Sequence, residues 1–182
     1  MNNIQQHLKN ISSPDMNIQG DSYRYLLEQT DQKVEWAYEV WDDLLELLRS
    51  QENRARSISG QLLCNLAKND VKDRMKQDFE TLIAATKDKS FVTARHILQS
   101  LWKVGIARKQ LTEIVVSGLS QRYMDCENER NGTLIRYDII INLRKMFDAL
   151  KYENIKEKAL GLIEKEQEEK YKKKYLKEWK GA

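Results

Sequence analysis

The sequence predicts an all-α protein, an α-solenoid of about three helix pairs followed by a charged C-terminal helix. Leu44, Leu47 and Leu48 are matched by Phe79, Leu82 and Ile83 at a constant offset of 35 residues. Leu62, Leu63 and Leu66 are matched by Ile97, Leu98 and Leu101 at the same offset. Two successive apolar patterns repeating together mean that a helix pair recurs, and such a unit must stack on its neighbours to bury its apolar face. Composition agrees. One proline and seven glycines in 182 residues are too few turn residues for an all-β chain. The 41% hydrophobic and 32% charged residues suit helices with one solvated face.

Residues 1–20 read as a weakly ordered segment, polar and Asn/Gln-rich, with Ser12-Ser13-Pro14-Asp15 as a turn. The repeat domain is expected over 21–150, with Tyr23, Leu26 and Leu27 in a short capping helix. The first repeat, about 31–69, opens at Asp31 as N-cap and runs through Val34, Ala37, Tyr38, Trp41, Leu44, Leu45 and Leu48. Gln51-Glu52-Asn53 breaks it, and Asn53 caps a second helix carrying Ile58, Leu62, Leu63 and Leu66.

The second repeat, about 70–106, shows Val71, Met75, Phe79, Leu82 and Ile83, then a turn at Asp88-Lys89-Ser90. Val92, Ala94, Ile97, Leu98 and Leu101 follow, closed by Gly105 as a C-terminal cap. The third, about 107–150, has Leu111, Ile114, Val115 and Leu119, with Gly118 marking close packing. Asn131-Gly132 is a turn and Thr133 a cap. Ile139, Ile140 and Leu143 match Ile97, Leu98 and Leu101 at an offset of 42, which places seven extra residues in a longer turn around Cys126–Gly132. Insertions of that kind map to one edge of a solenoid, where partners often bind.

Residues 151–182 read as a helix that either caps the last repeat or projects from it. Ile155, Ala159, Leu162 and Ile163 continue the apolar stripe. Glu166–Lys170, Glu168–Lys172 and Glu169–Lys173 are i,i+4 pairs in the favourable order. Between Lys165 and Lys180 stand seven lysines and four glutamates, an excess equal to the whole chain's formal charge of +3. Tyr171, Tyr175 and Trp179 lie four apart, so this helix either docks on a partner or covers the last repeat.

With Lys+Arg 31 against Asp+Glu 28, charge is nearly balanced, and any nucleic-acid binding must come from local clustering. Cys64 and Cys126 stand far apart outside any metal-ligand spacing, and Cys64 falls in an apolar helical pattern as a small core residue. No apolar run approaches the roughly 20 residues of a membrane span, and Met1–Gly20 lacks the apolar segment of a secretory signal. A cytoplasmic protein is expected.

Helix pairs joined by short turns, with a small or apolar residue recurring four apart on the second helix, resemble HEAT-type repeats, an ARM-like α-solenoid family. Ile135-Arg136, then Ile139 and Leu143, stand where the family shows Val-Arg, Ala and Leu. The resemblance covers about residues 31 to 150 and departs from the pattern at Ser59 and Ala94, which replace the family arginine. A period of 35 is nearer the tetratricopeptide one, but that family closes each repeat with a proline, and none follows Pro14. The resemblance implies a curved scaffold that binds a partner along its inner face, usually without catalysis.

Lys68, Lys103 and Lys145 occupy one repeat position, and stacking would set them in a row with Arg95, Arg136 and Arg144 nearby. One reading is contact with phosphates, as similarity to HEAT-like DNA-alkylation-repeat proteins implies. The other is that Lys68 and Lys103 favour the negative ends of their own helices. His96 beside Arg95 reads either as a proton-transfer group or as an ordinary surface histidine, and Trp102 either stacks on a base or packs into the next repeat. Asp42-Asp43 and Asp125, Glu127 and Glu129 lack the spacing of a calcium loop and read as solvated acidic edges. Phosphate-binding loops, nucleophile elbows and zinc spacings are missing from the sequence. The expected function is therefore a non-catalytic scaffold, without cofactor or metal, that receives a protein or peptide. Candidate contacts are Lys68, Arg95, His96, Lys103, Arg136, Arg144 and Lys145. A nucleic-acid-binding module is the alternative, and catalytic base removal, as in some relatives, lacks a visible acid and aromatic constellation.

Overall fold

A computed structural model describes residues 3–182. Among these, the chain forms eleven α-helices and two 3-10 turns, without a strand, so the fold is all-α as the repeat predicts. It divides into two units, Met1–Ile97 and Leu98–Ala182. The first holds α1 (Asn3–Asn10), α2 (Met16–Asp31), α3 (Ala37–Leu47), α4 (Asn53–Leu66), α5 (Arg74–Ala84) and nearly all of α6 (Phe91–Leu98). The second holds α7 (Trp102–Ala107), α8 (Lys109–Asp125), α9 (Gly132–Leu150), α10 (Glu153–Glu164) and α11 (Glu169–Lys177).

The repeated apolar positions are the core. Leu62, Leu63, Leu66 and Ile97 are buried with Trp41, Leu44 and Phe79 in the first unit. Leu98, Leu101, Ile139, Ile140 and Leu143 are buried with Val115, Leu119 and Ile155 in the second. The second-helix triplets are buried at all three positions. On the first helices Leu47 and Ile83 stay half-buried, because these outer helices cover the core from one side.

Beyond the expected pairs the structure adds one at each end. Residues 3–20, read from sequence as weakly ordered, form α1 and the start of α2, while residues 1 and 2 lie outside the described residues. Ile4, Leu8 and Ile11 are buried, and Asp15 caps α2 by accepting from the Asn17 and Ile18 N–H groups. The segment looked polar because three apolar contacts suffice to seat so short a helix. At the other end α10 and α11 replace the single charged helix. Glu166 sits buried in the turn between them rather than facing Lys170 along a helix.

Several boundaries also move. Asp31 ends α2, and α3 starts only at Ala37. Glu52 and Asn131, not Asn53 and Thr133, stand at the N-caps of α4 and α9. Val71 is 72% exposed, because α5 begins after Asp73, whose φ of 56° is left-handed.

The second helix of the second repeat breaks into α6 and α7. In an unbroken helix the Trp102 N–H would bond the Leu98 carbonyl, but it donates to the buried Asn142 Oδ1 at 2.7 Å. Gly105 is not a cap. It lies inside α7, where a Cβ would stand 2.4 Å from Met146 Cε, so its missing side chain lets α7 and α9 meet.

Gly60 does the same for α4 and α6, since a Cβ there would lie 2.6 Å from Ile97 Cγ1. Alanine at position 60 gains helix propensity, worth about 1 kcal/mol, but the overlap outweighs it. Gly60→Ala is expected to cost a net of about 1–3 kcal/mol in urea denaturation. In an Ile97→Ala background the cost of Gly60→Ala should shrink, and strict additivity in the double-mutant cycle would show that the two side chains do not compete for space.

Candidate interaction surface

In the first unit, α2, α4 and α6 are the second helices of their pairs. Arg54, Ser57, Gln61 and Lys68 fall at helical spacing along α4 and its 3-10 continuation Ala67–Asn69. From this stripe a chain of side-chain hydrogen bonds crosses all three helices. The Tyr23 hydroxyl on α2 donates to Gln61 Oε1 at 2.8 Å. Gln61 Nε2 donates to the Ser57 carbonyl at 3.1 Å and to Ser57 Oγ at 3.3 Å. Ser57 Oγ lies 3.0 Å from His96 Nδ1 on α6. Ser57 is buried, Tyr23 and Gln61 are half-buried and His96 is exposed. Burial pushes the Tyr23 hydroxyl above the ordinary phenol range, which keeps it a donor at neutral pH.

Charge in this unit is of one sign on α3, α4 and α6 but mixed on α2, which carries Asp21, Glu28 and Asp31 beside Arg24. The first helix α3 carries Glu39, Asp42, Asp43 and Glu46 and no basic residue. The second helices α4 and α6 carry Arg54, Arg56, Arg95 and His96 and no acidic residue. Arg54 lies against α2, where a Cβ on Gly20 would stand 3.4 Å from its Nη2. Arg95 stacks its guanidinium 5.7 Å from the Phe91 ring centre. Lys68 is partly committed within the fold. Its Nζ donates to the Thr30 and Asp31 carbonyls, both at 2.8 Å, and so caps the C-terminus of α2 rather than of its own helix.

The remaining candidate residues belong to the second unit. Lys103 is half-buried on α7, and Lys145 on α9 is exposed, with its Nζ 5.3 Å from the Trp102 ring centre. Trp102 is thus covered by a lysine of the next second helix. Arg144 donates to Asp148 Oδ2 at 2.8 Å and to the Glu178 carbonyl at 2.7 Å. Arg136 donates to Glu166 Oε2 at 2.9 Å, with side chains 12% and 2% exposed. Burial works against the Glu166 carboxylate, but the Arg136 guanidinium and the Glu168 N–H more than offset it and hold it below the usual carboxylate range. Of the aromatics on the C-terminal segment, Tyr175 and Trp179 are buried. Tyr175 donates to the Thr133 carbonyl at 2.7 Å, and Trp179 packs 5.7 Å from the Phe147 ring, so the segment covers α9.

Sequence reasoning missed a second arginine of the same kind as Arg136. Arg56 Nε and Nη2 bind Asp88 Oδ2 and Oδ1 at 2.6 and 2.8 Å, while Nη1 donates to the Ser50 and Gln51 carbonyls. Both arginines leave a second helix to hold a carboxylate in the turn of the following pair. The long turn after α8 is likewise tied down, by Arg122 donating to both Glu129 oxygens at 2.7 and 2.8 Å.

Two open grooves lie elsewhere. One of about 1060 Å³ between α1 and α3 is edged by Lys9, Asp43, Glu46 and Arg49. Another of about 740 Å³ between α8 and α10 is edged by Glu113, Glu157, Lys158 and Lys165. Both mix the two signs of charge. Among the described residues no group of three or more His, Cys, Asp and Glu is placed to hold a metal, and no helix is long and apolar enough to cross a membrane.

Neither a family model nor a curated protein matches the chain. Solved structures do. An engineered protein from the Northeast Structural Genomics Consortium aligns with a TM-score of 0.51 at 12% identity, covering 100% of both chains. A designed armadillo repeat protein in complex with the peptide (KR)4 gives a TM-score of 0.49 at 12% identity, covering 97% of this chain and 88% of that one. The likeness to the engineered protein bears on the fold alone.

Proposed function

We propose that this chain is a non-catalytic interaction scaffold that receives a protein or peptide on the faces of its second helices. One observation carries the reading. Tyr23, Gln61, Ser57 and His96 form a linked row of donors and acceptors across three successive helices. At the usual helix spacing that row spans about 20 Å, the reach of about six residues of extended peptide. A photo-crosslinking amino acid at position 61 should therefore trap partner protein in cells, whereas one at Asp43 on α3 should not. Equal trapping at both positions would argue against a defined binding face.

A second reading rests on the second unit, where Trp102 and Lys145 come together beside Lys103. A cation over an indole on adjacent helices is also an arrangement that meets phosphates and stacked bases. Fluorescence anisotropy with labelled DNA and RNA, at low and high salt, tests it. Binding that weakens steeply with salt and is lost on joint replacement of Lys103 and Lys145 would favour nucleic acid. Binding insensitive to that replacement would remove the lysines from consideration.

A further inference from the structure

We infer that the outer face of α11 is a docking surface for the phosphate backbone of a nucleic-acid duplex. This surface is separate from the second-helix faces and does not depend on the scaffold reading. Residues 1–164 are balanced, with 24 Lys and Arg against 24 Asp and Glu, so the chain's whole formal excess of +3 falls in its last 18 residues. Within them it is concentrated further. The stretch from Lys170 to Lys180 holds six lysines against one carboxylate, Glu178. The fold then sorts these groups by side. Lys170, Lys173, Lys174 and Lys177 stand at i, i+3, i+4 and i+7 on α11, which sets them along one face, and Lys180 follows about a turn later. All five are exposed. Tyr171 and Tyr175 lie on the opposite side, where Tyr175 and Trp179 seat the segment on α9. The carboxylates of the segment are placed elsewhere. Glu166 is buried against Arg136, and half-buried Glu178 accepts the Tyr137 hydroxyl at 2.9 Å. Glu168 and Glu169 stand at the N-terminal end of α11, where the helix dipole favours them. The two helices packed against α11 are mixed in sign: α9 pairs Arg144 with Asp148 at 2.8 Å, and α10 with Lys165 carries three acids and three lysines.

The kind of cation and the shape of the stripe set the partner's class. Every cation in it is a lysine, a compact point charge suited to phosphate, rather than the forked guanidinium that grips a carboxylate in two places. At the helical rise the stripe from Lys170 to Lys180 runs about 15 Å. Along that length one strand of a duplex presents about four phosphates, so lysines and phosphates meet in similar number. A single strand fits less well, because it is held by bases stacked on aromatic rings, and here Tyr175 and Trp179 are buried. A lipid surface fits less well too. A helix lies in it by burying an apolar side, and α11 has spent that side on α9, with Leu176 left exposed among the lysines.

The test is fluorescence anisotropy of a fluorescein-labelled DNA duplex of mixed sequence, titrated with the full chain over a series of salt concentrations. Binding that weakens with salt is expected. In Lys173→Gln/Lys177→Gln/Lys180→Gln the affinity should fall about tenfold or more, and the slope of log affinity against log salt should become shallower by about 2–3. Lys33→Gln/Lys76→Gln/Lys89→Gln removes the same charge from exposed positions of the first unit and should keep most of the affinity. Should the α11 triple variant fail to fold by circular dichroism, Lys173→Gln/Lys177→Gln serves in its place, with a slope change of about 2. No duplex binding at low salt, or equal losses in the two triple variants, would overturn the docking surface. Tighter binding to a labelled single strand, or binding to phosphatidylserine vesicles in place of the duplex, would overturn it as well. Duplex binding that survives the α11 variant would do the same and leave only the Trp102–Lys145 arrangement to account for it.

Discussion

Replacing Arg56 with alanine is expected to destabilise the protein by about 3–5 kcal/mol, measured by equilibrium urea denaturation. The guanidinium and its partner Asp88 are 7% and 9% exposed, so removing one leaves the other a buried charge without its counter-ion. The loss has a second component. Arg56 Nη1 also satisfies the Ser50 and Gln51 carbonyls in the turn between α3 and α4, which would be left to find water. Replacing both partners, as Arg56→Met/Asp88→Leu, should cost far less than either alanine substitution, because no charge is then stranded.

Acidification offers an independent check. The Arg56 hydrogen bonds hold the Asp88 carboxyl below the usual carboxylate range, against the opposing effect of burial and with help from the Ser90 N–H. A lowered carboxylate contributes stability above its unfolded value, and that contribution is lost as pH falls through the folded value. The intact protein should therefore lose stability across that interval, and Arg56→Ala should lose less. Parallel pH profiles for the two would mean that the pair is not what acid removes.

Asp70→Ala comes next in size, at about 2–4 kcal/mol. Asp70 is 1% exposed, and its carboxylate accepts three hydrogen bonds. Oδ1 takes the Tyr38 hydroxyl at 2.7 Å and the Arg74 N–H at 3.0 Å, and Oδ2 takes the Met75 N–H at 2.7 Å. The N-cap residue proper, Asp73, makes no side-chain cap, so the start of α5 depends on a carboxylate three residues earlier. That same carboxylate fixes Tyr38 on α3, whose oxygen in turn accepts the Lys72 N–H at 2.7 Å. Asp70→Asn keeps a single acceptor oxygen and should fall between wild type and alanine. Thermal unfolding that ranks asparagine below alanine would show that charge, not acceptor count, governs the site.

The repeat was legible because burial in a stacked helix pair is written locally. Leu62, Leu63 and Leu66 recur as Ile97, Leu98 and Leu101, and each of the six is buried. What stayed illegible depends on partners distant in the chain. The break after Leu98 is made by Asn142, 40 residues away, and nothing near residue 100 announces it. Arg136 was visible as a family-like arginine, but its destination in the α10–α11 turn was not, since Glu166 also fitted an i,i+4 pattern with Lys170. Lys68 was rightly placed at a helix end, yet the end it serves belongs to α2. The Tyr23–Gln61–Ser57–His96 row escaped notice for a related reason. Its members sit at helical spacing only on α4, and the other two helices become neighbours only on folding.

The two cysteines give the fold a built-in clock. Cys64 belongs to the first unit and Cys126 to the second, and both are fully buried thiols. Burial pushes the Cys126 thiol above its ordinary range, which suppresses the thiolate that an alkylating reagent needs. Each sulfur therefore reacts only when its own half opens. Pulsed alkylation read by peptide mass spectrometry would time those openings separately, in one sample. Binding on the α2–α4–α6 face should slow the clock at Cys64 first.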